Sequence, residues 1–297
     1  MSIFHFSILL QLLFFFLGGF IALNVLKNRP DIDFDNAHKE SKPMLVISLI
    51  ILTLLTLGAV TVRFDAILEM TPILYQRFAI VYSWTMIAVF IGFVSGYVIF
   101  LAYKLKKRFK TYLPSLLLLN TLFYIVHYQT NNYVGDRVGE SKRFDGGFLQ
   151  TTNYSCTSAS LATVATHFGL NVDERTASEL LRVTKFGANL GQIRYALHRL
   201  GVGYESLRGQ YKELKDVKPP AILFVNHPSV GVDGHAVVYF GLKDDGKYKI
   251  WDPLKGKIEL SQKDIKDIWN GNGIRCFKVK NRTESRDVNG MSGEESK

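Results

Sequence analysis

Cysteine is almost missing: the chain of 297 residues has two, Cys156 and Cys276. Two thiols cannot build the multi-bridge framework of a small secreted domain, and no Cys/His cluster has the spacing of a zinc site. No cofactor and no metal are therefore expected. The GxxxxGK[ST] phosphate loop is also absent. Nucleic-acid-binding motifs are missing despite a formal net charge of +10, so nucleic acid is set aside as a partner. Charge itself is missing from long stretches of the first half. The second half has an ordinary soluble composition, and the chain-wide 47% hydrophobic content averages over that split.

Four apolar stretches precede the soluble part, at about 3–26, 44–62, 78–103 and 111–128. A helix needs about 20 residues to cross a hydrocarbon core, and the region 1–130 is expected to hold four transmembrane helices. The first stretch has no basic start and is too long for a cleaved signal peptide, so it reads as a retained span. The fourth is the shortest and contains Pro114, Asn120 and His127. KLKKRFK, between the third and fourth, is basic without an acid, and Lys27, Arg29, Lys39 and Lys42 follow the first. Such loops stay in the cytoplasm. The peptide chain then starts outside, and the soluble domain lies on the extracytoplasmic side of a cell membrane. If the fourth stretch only lies along the membrane, the domain is cytoplasmic. Gln11, Asn120 and His127 read as bonds between helices or interfacial groups. No carboxylate lies inside the spans, which argues against a transporter.

After a linker at 131–144, the soluble domain is expected over 145–280, with Gly146-Gly147 as a flexible lead-in and 281–297 as a disordered polar tail. SCTSASLATVATHFG is helical by its apolar period and ends at Gly169. Asp173 stands where an N-cap is wanted before ERTASELLRV, and LGQIRYALHRLG ends at Gly201. After Pro219-Pro220 come strand patterns: AILFV, HAVVYFG, KYKIWD and KIEL, with KDDGK as a hairpin turn. A short helix near 264–269 and a last strand, RCFKV, close the domain. Helices first and antiparallel strands afterwards give an α+β fold.

Four residues stand where chemistry can use them. Cys156 begins a helix, whose free N–H groups and partial positive charge favour thiolate, the nucleophilic form. His235 opens the strand GHAVVYFG, at an edge where an imidazole can face a cleft as general base. Asp252 ends KYKIWD, and pairing of these two strands would set it beside His235 to fix the tautomer. Gln150 lies six residues before Cys156, where a side-chain amide can share an oxyanion with a backbone N–H. Taken singly, each has a plain structural reading: a buried thiol, a core histidine, a turn Asp before Pro253, a loop Gln. His167 and His198 read as structural, Trp251 as a core aromatic, and Cys276 as buried and inert; His227, in NHPSVG, is a loop residue that could line the cleft.

In this order the set resembles the double-glycine leader peptidase family. QTTNYSCTSASLATVATHFG, GHAVVYFG and IWDPLKGKIEL carry the resemblance, which runs over about 148–279. It implies a papain-like cysteine peptidase domain with Cys156 as nucleophile, His235 as base, Asp252 as orienting acid and Gln150 as oxyanion donor. Thr157 stands where many members have glycine, and the domain follows the spans, whereas family transporters place it first. Without a phosphate loop, export by this chain alone is not expected. The function implied is a membrane-anchored cysteine-type peptidase hydrolysing a peptide bond, with a leader or propeptide as substrate, the lipid bilayer as anchor and a separate exporter as a further partner. Two alternatives stay open: a non-cleaving module that docks a leader peptide or partner, and a Cys-dependent acyl or peptidyl transferase.

Overall fold

The computed structural model describes residues 3–28, 42–63, 65–104, 109–139, 141, 143–209, 211, 213–226 and 234–279. The polar tail at 281–297, most of the two basic loops and His227 lie outside the described residues. The first half is helical: α1 (Ile3–Asn28), α2 (Lys42–Arg63), the short α3 (Asp65–Met70), α4 (Ile73–Lys104) and α5 (Phe109–Asn131). All four apolar stretches fall inside helices. Among the described residues, two segments, 8–28 and 73–104, are long and apolar enough to cross a membrane. α4 is the central helix, with Phe93, Tyr97 and Leu101 in a core shared with Ile21 and Ala22 of α1 and Ile51 of α2. Gly92 and Gly96 are one turn apart on α4. A Cβ on either would strike the backbone carbonyls of Gln11 and Phe15 on α1. Small residues at this spacing let two helix backbones touch, and the gain is dispersion contact along both. Gln11 Nε2 donates to Asn120 Oδ1 at 2.8 Å, and Asn120 Nδ2 donates to Ser95 Oγ at 2.8 Å. Those polar groups thus join α1, α4 and α5, as expected.

The second half is an α+β domain. Its first helices are α6 (Cys156–His167), α7 (Glu174–Leu181) and α8 (Leu190–Arg199). Asp173 caps α7 by accepting from the Thr176 N–H at 2.7 Å, and Asn189 with Gln192 forms a capping box on α8. The strands are a two-residue hairpin, β1 (Arg143–Phe144) and β2 (Gly147–Phe148), and then β3 (Val202–Arg208), β4 (Ala221–Val225), β5 (His235–Leu242), β6 (Tyr248–Asp252), β7 (Gly256–Leu260) and β8 (Trp269–Lys278). The short α9 (Gln262–Ile268) precedes β8. The six longer strands form one antiparallel sheet in the order β3-β8-β4-β5-β6-β7.

Period-two alternation gives the sheet two apolar faces. Ile222, Val238, Trp251 and Ile274 pack under α6–α8. Leu223, Val237, Tyr239 and Ile250 pack on the opposite side with Ile265 of α9. Burial on both faces explains why AILFV and HAVVYFG are nearly continuous apolar runs.

Several sequence expectations need correction. The lead-in is not a flexible glycine pair. Asp145 and Gly146 both have positive φ, 42° and 92°, and make the turn of the β1–β2 hairpin. Gly147 lies against the Trp251 ring, with no room for a Cβ. The last strand begins at Trp269, six residues earlier than RCFKV. β3 lies where no strand was expected. Part of the 131–144 linker is packed on the domain: Val134 and Val138 are fully buried, and Val134 N–H donates to Val183 O at 3.0 Å.

The domain also docks on the helical half. Arg194 of α8 is fully buried; its Nε donates to Gln76 Oε1 of α4 at 2.7 Å and its Nη1 to Ser206 Oγ of β3 at 3.2 Å. Ser206 Oγ donates to Glu69 Oε1 of α3 at 3.3 Å, and Glu69 pairs with Arg208. Arg194→Ala takes the arginine donor from the buried Gln76 Oε1 and from Ser206 Oγ. It should cost about 3 kcal/mol of stability, read as a lower thermal midpoint of the full chain in detergent. An unchanged midpoint would show that the docking network carries no weight.

Candidate active site

Cys156 stands at the first position of α6, and Ser155 before it is the N-cap residue. Ser155 does not cap the helix with its side chain; its hydroxyl donates instead to Thr152 O at 3.1 Å. The first-turn N–H groups are therefore not consumed by that hydroxyl, and they hold positive potential beside the thiol. Ser160, one turn on, donates to the carbonyl of Ala236 at 3.1 Å. That bond pins α6 to β5 at the residue after His235.

His235 and Asp252 meet across β5 and β6. Val238 faces Trp251 in the register, so Asp252 comes opposite Val237, and His235 is its diagonal neighbour on the same side. His235 Nε2 lies 2.7 Å from Asp252 Oδ1, and both side chains are 1% exposed. The same carboxylate oxygen accepts from the Leu254 N–H at 2.9 Å, which fixes its direction. With Nε2 held by Asp252, Nδ1 is the nitrogen left for Cys156, which lines the same cleft. Trp251 is buried, and its indole N–H donates to Phe148 O at 2.9 Å. It belongs to the core under the helices.

The electrostatics follow from burial and partners. Burial alone would raise the Cys156 thiol; the His235 hydrogen bond, the Ala236 backbone and the His235 charge together bring it below its ordinary value. Burial likewise opposes charge on His235, but the hydrogen bonds to Asp252 and Cys156 outweigh it and hold the imidazole up at about 9. Both shifts favour one arrangement, a thiolate paired with an imidazolium. Cys276 is the contrast: buried on β8, with its thiol pushed up to about 12 by desolvation.

Gln150 is brought near by its backbone, whose N–H donates to Pro253 O at 2.9 Å, one residue past Asp252. Its amide nitrogen donates to Thr152 O at 2.7 Å, the same carbonyl that receives the Ser155 hydroxyl. Its Oε1 is buried without a hydrogen-bond partner among the described residues. An amide carries two N–H donors, so one remains for another acceptor.

Cys156 and His235 open onto a cleft of about 730 Å³. Its walls include Thr157, the exposed Phe186, Arg208, Phe224 and Asn272. Loop 185–189 and Arg208 escaped sequence reasoning; Phe186, 73% exposed, was the available signal, since a large apolar side chain between polar loop residues is a mark of a contact surface. His167 packs on Phe168 and Phe240 and His198 is exposed, so neither belongs to the site.

Residues 147–281 match the Peptidase C39 family. An uncharacterized protein of Methanothermobacter marburgensis is 30% identical over 123 residues, 41% of this chain and 82% of that one. The chain belongs to the peptidase C39 family. Its C39 domain is a cysteine peptidase domain, a hydrolase, with the expected helices and antiparallel sheet. It is also 29% identical over 128 residues to the probable microcin-H47 secretion/processing ATP-binding protein of Escherichia coli. That match covers 43% of this chain but 17% of the relative. Among solved structures, a double glycine motif protease from a transporter, crystallised in complex with the leader peptide, aligns with 48% of this chain and 95% of that one, at 22% identity and a TM-score of 0.41.

Proposed function

We propose that the C39 domain is a membrane-anchored peptidase with Cys156 as nucleophile, His235 as proton shuttle, Asp252 as the group orienting His235, and Gln150 with the Cys156 N–H as oxyanion donors. The observation that carries this is the buried His235–Asp252 pair, with His235 and Cys156 on the wall of one open cleft. The thiolate attacks the scissile carbonyl, and the carbonyl electrons move onto oxygen, where the two donors meet them. His235 then gives its proton to the leaving amine as the C–N bond breaks, leaving a thioester on Cys156. His235 next takes a proton from water, which attacks the thioester and releases the acid. No metal takes part in these steps. Gln150→Ala should lower kcat on the order of 10²-fold with KM little changed, because an oxyanion donor acts only on charge that appears in the transition state. An equal loss in KM would assign Gln150 to ground-state binding instead.

The E. coli relative's name joins secretion to processing, which supports a leader or propeptide as substrate, passed on by a separate exporter.

The anchor is read as four spans, α1, α2, α4 and α5. Leu118 and Leu122 of α5 are each more than half exposed, as are Leu13 and Phe20 of α1, and outward apolar faces of this size want lipid. The docking contacts bear on the side of the membrane. The C39 domain bonds to Gln76 at the start of α4, and the basic KLKKRFK link lies at the other end. A helix of 32 residues is about 48 Å long at 1.5 Å per residue, so α5 must run back along α4 to bring the domain there. Its Phe123 and His127 contact Trp84, in keeping with that course. With the basic link in the cytoplasm, the domain lies outside. Cys156 is half-buried at the cleft and Cys276 is buried, so a membrane-impermeant maleimide should label Cys156 in intact cells. Protection until the membrane is opened would place the domain in the cytoplasm.

A further inference from the structure

A second cavity, of about 280 Å³, lies between α4 and the domain. Its α4 wall is Arg77, Ile80, Val81 and Trp84; its domain wall is Arg182 and the loop at 186–189. Arg77 and Arg182 both lie over Phe78, 5.2 and 5.4 Å from the ring centroid. Neither has a carboxylate within ion-pair distance among the described residues. Arg77 donates instead to the Glu179 carbonyl at 2.9 Å and to Tyr195 OH at 3.3 Å, and its Nε is buried without a partner among those residues. Burial first, and the Arg77 charge second, lower the proton affinity of Arg182. Two cations lining one cavity repel each other, and an anion between them would turn that repulsion into two attractions.

The surroundings say which anion. Tyr75 stacks on Tyr82, and Trp84 packs on Phe123 and His127 at this end of the helices. An aromatic belt of this kind marks the headgroup level of a bilayer. From Arg77, the cavity wall continues along α4 as Ile80, Val81 and Trp84.

We propose that this cavity seats the headgroup end of one anionic phospholipid, its phosphodiester between Arg77 and Arg182 and the first part of an acyl chain along Ile80, Val81 and Trp84. The loop at 186–189 also lines the catalytic cleft, so the lipid braces one wall of the substrate site. The inference rests on the membrane reading of α4. Alkaline carbonate extraction tests that reading by itself: a chain that washes off membranes ends both, whereas a retained chain leaves the lipid to be judged separately.

The full chain, purified in detergent and exchanged into nanodiscs of phosphatidylcholine with phosphatidylglycerol, is released for native mass spectrometry. One phosphatidylglycerol should stay with each wild-type chain. Retention should fall about fivefold for Arg182→Gln and roughly thirtyfold for the Arg77→Gln/Arg182→Gln pair, from the attraction expected per cation near an anionic surface. Lys257→Gln on β7 should behave as wild type. Because Arg77 also helps dock the domain, the single Arg182→Gln variant decides the matter if the pair misfolds. Equal retention of phosphatidylcholine and phosphatidylglycerol, or unchanged retention in Arg182→Gln, overturns the proposal. Inorganic phosphate that displaces the lipid and raises the melting temperature equally in lipid-free micelles would assign the site to a soluble anion. A rise in peptide KM for Arg182→Gln in lipid-free micelles, with lipid retention unchanged, would assign it to an acidic part of the substrate.

Discussion

Cys156→Ala is expected to remove peptide cleavage, by on the order of 10⁵-fold in kcat, with the melting temperature of the chain unchanged within a degree or two. The size of the effect follows from what the site invests in that one sulfur. The uncapped start of α6, the Ala236 backbone and the His235 imidazole all favour the thiolate, and none of them can act on a methyl group. Cys156→Ser should fare little better, because a hydroxyl in the same place stays protonated at working pH and the pair with His235 is lost. The chain provides its own control: two thiols, one brought below its ordinary value, the other buried and pushed up to about 12. Iodoacetamide at neutral pH should therefore modify Cys156 alone, and Cys276 only after unfolding. Mass spectrometry of the labelled peptides reads this without any knowledge of the substrate. Cleavage retained at more than 1% in Cys156→Ala would remove this residue from the chemistry.

The ends of elements were the most legible part of the chain. Asp173 announced its cap, Gly201 its helix end, and Asp244-Asp245-Gly246 a hairpin, because each is a local device whose energy lies within a few residues. Cys156, His235 and Asp252 also sit at element ends, and for that reason they could be lined up from the sequence before any pairing was known. β3 was not legible. Val202, Gly203, Glu205 and Ser206 do not alternate, because β3 is an edge strand with β8 as its partner and spends Ser206 and Arg208 on contacts with α3 and α8. The docking of Arg194 on Gln76 was invisible for a related reason: a buried arginine is stable only through partners more than a hundred residues away, and no local pattern encodes them. The side chain of Gln150 was half legible. Its position beside the site follows from the bond to Pro253, but the engagement of its amide by Thr152 depends on the turn ahead of α6.

Asp252→Asn is expected to lower kcat/KM on the order of 10⁴-fold at pH 8, as for the loss of the carboxylate from comparable triads, and to change the shape of the pH profile. The sign follows from the partners. In the wild type, burial disfavours the His235 cation, and the bonds to Asp252 and Cys156 overcome that and hold it up at about 9. The active form pairs thiolate with imidazolium, so activity should rise as Cys156 loses its proton, below the ordinary thiol range, and fall as His235 loses its own near pH 9. Removing the carboxylate leaves burial, which lowers the imidazole, less opposed. The alkaline limb should then move toward lower pH, and the Cys156 thiol, deprived of a charged neighbour, should move up. The two limbs converge, and the pH window in which the pair exists narrows from both sides. Alkylation of Cys156 between pH 5 and 10 measures the thiol limb directly, and kcat/KM measures both. A merely structural Asp252, holding the turn through Leu254, would lower activity and stability together without moving either limb. Limbs that stay in place in Asp252→Asn would therefore take Asp252 out of the proton path and leave Cys156 and His235 as a dyad.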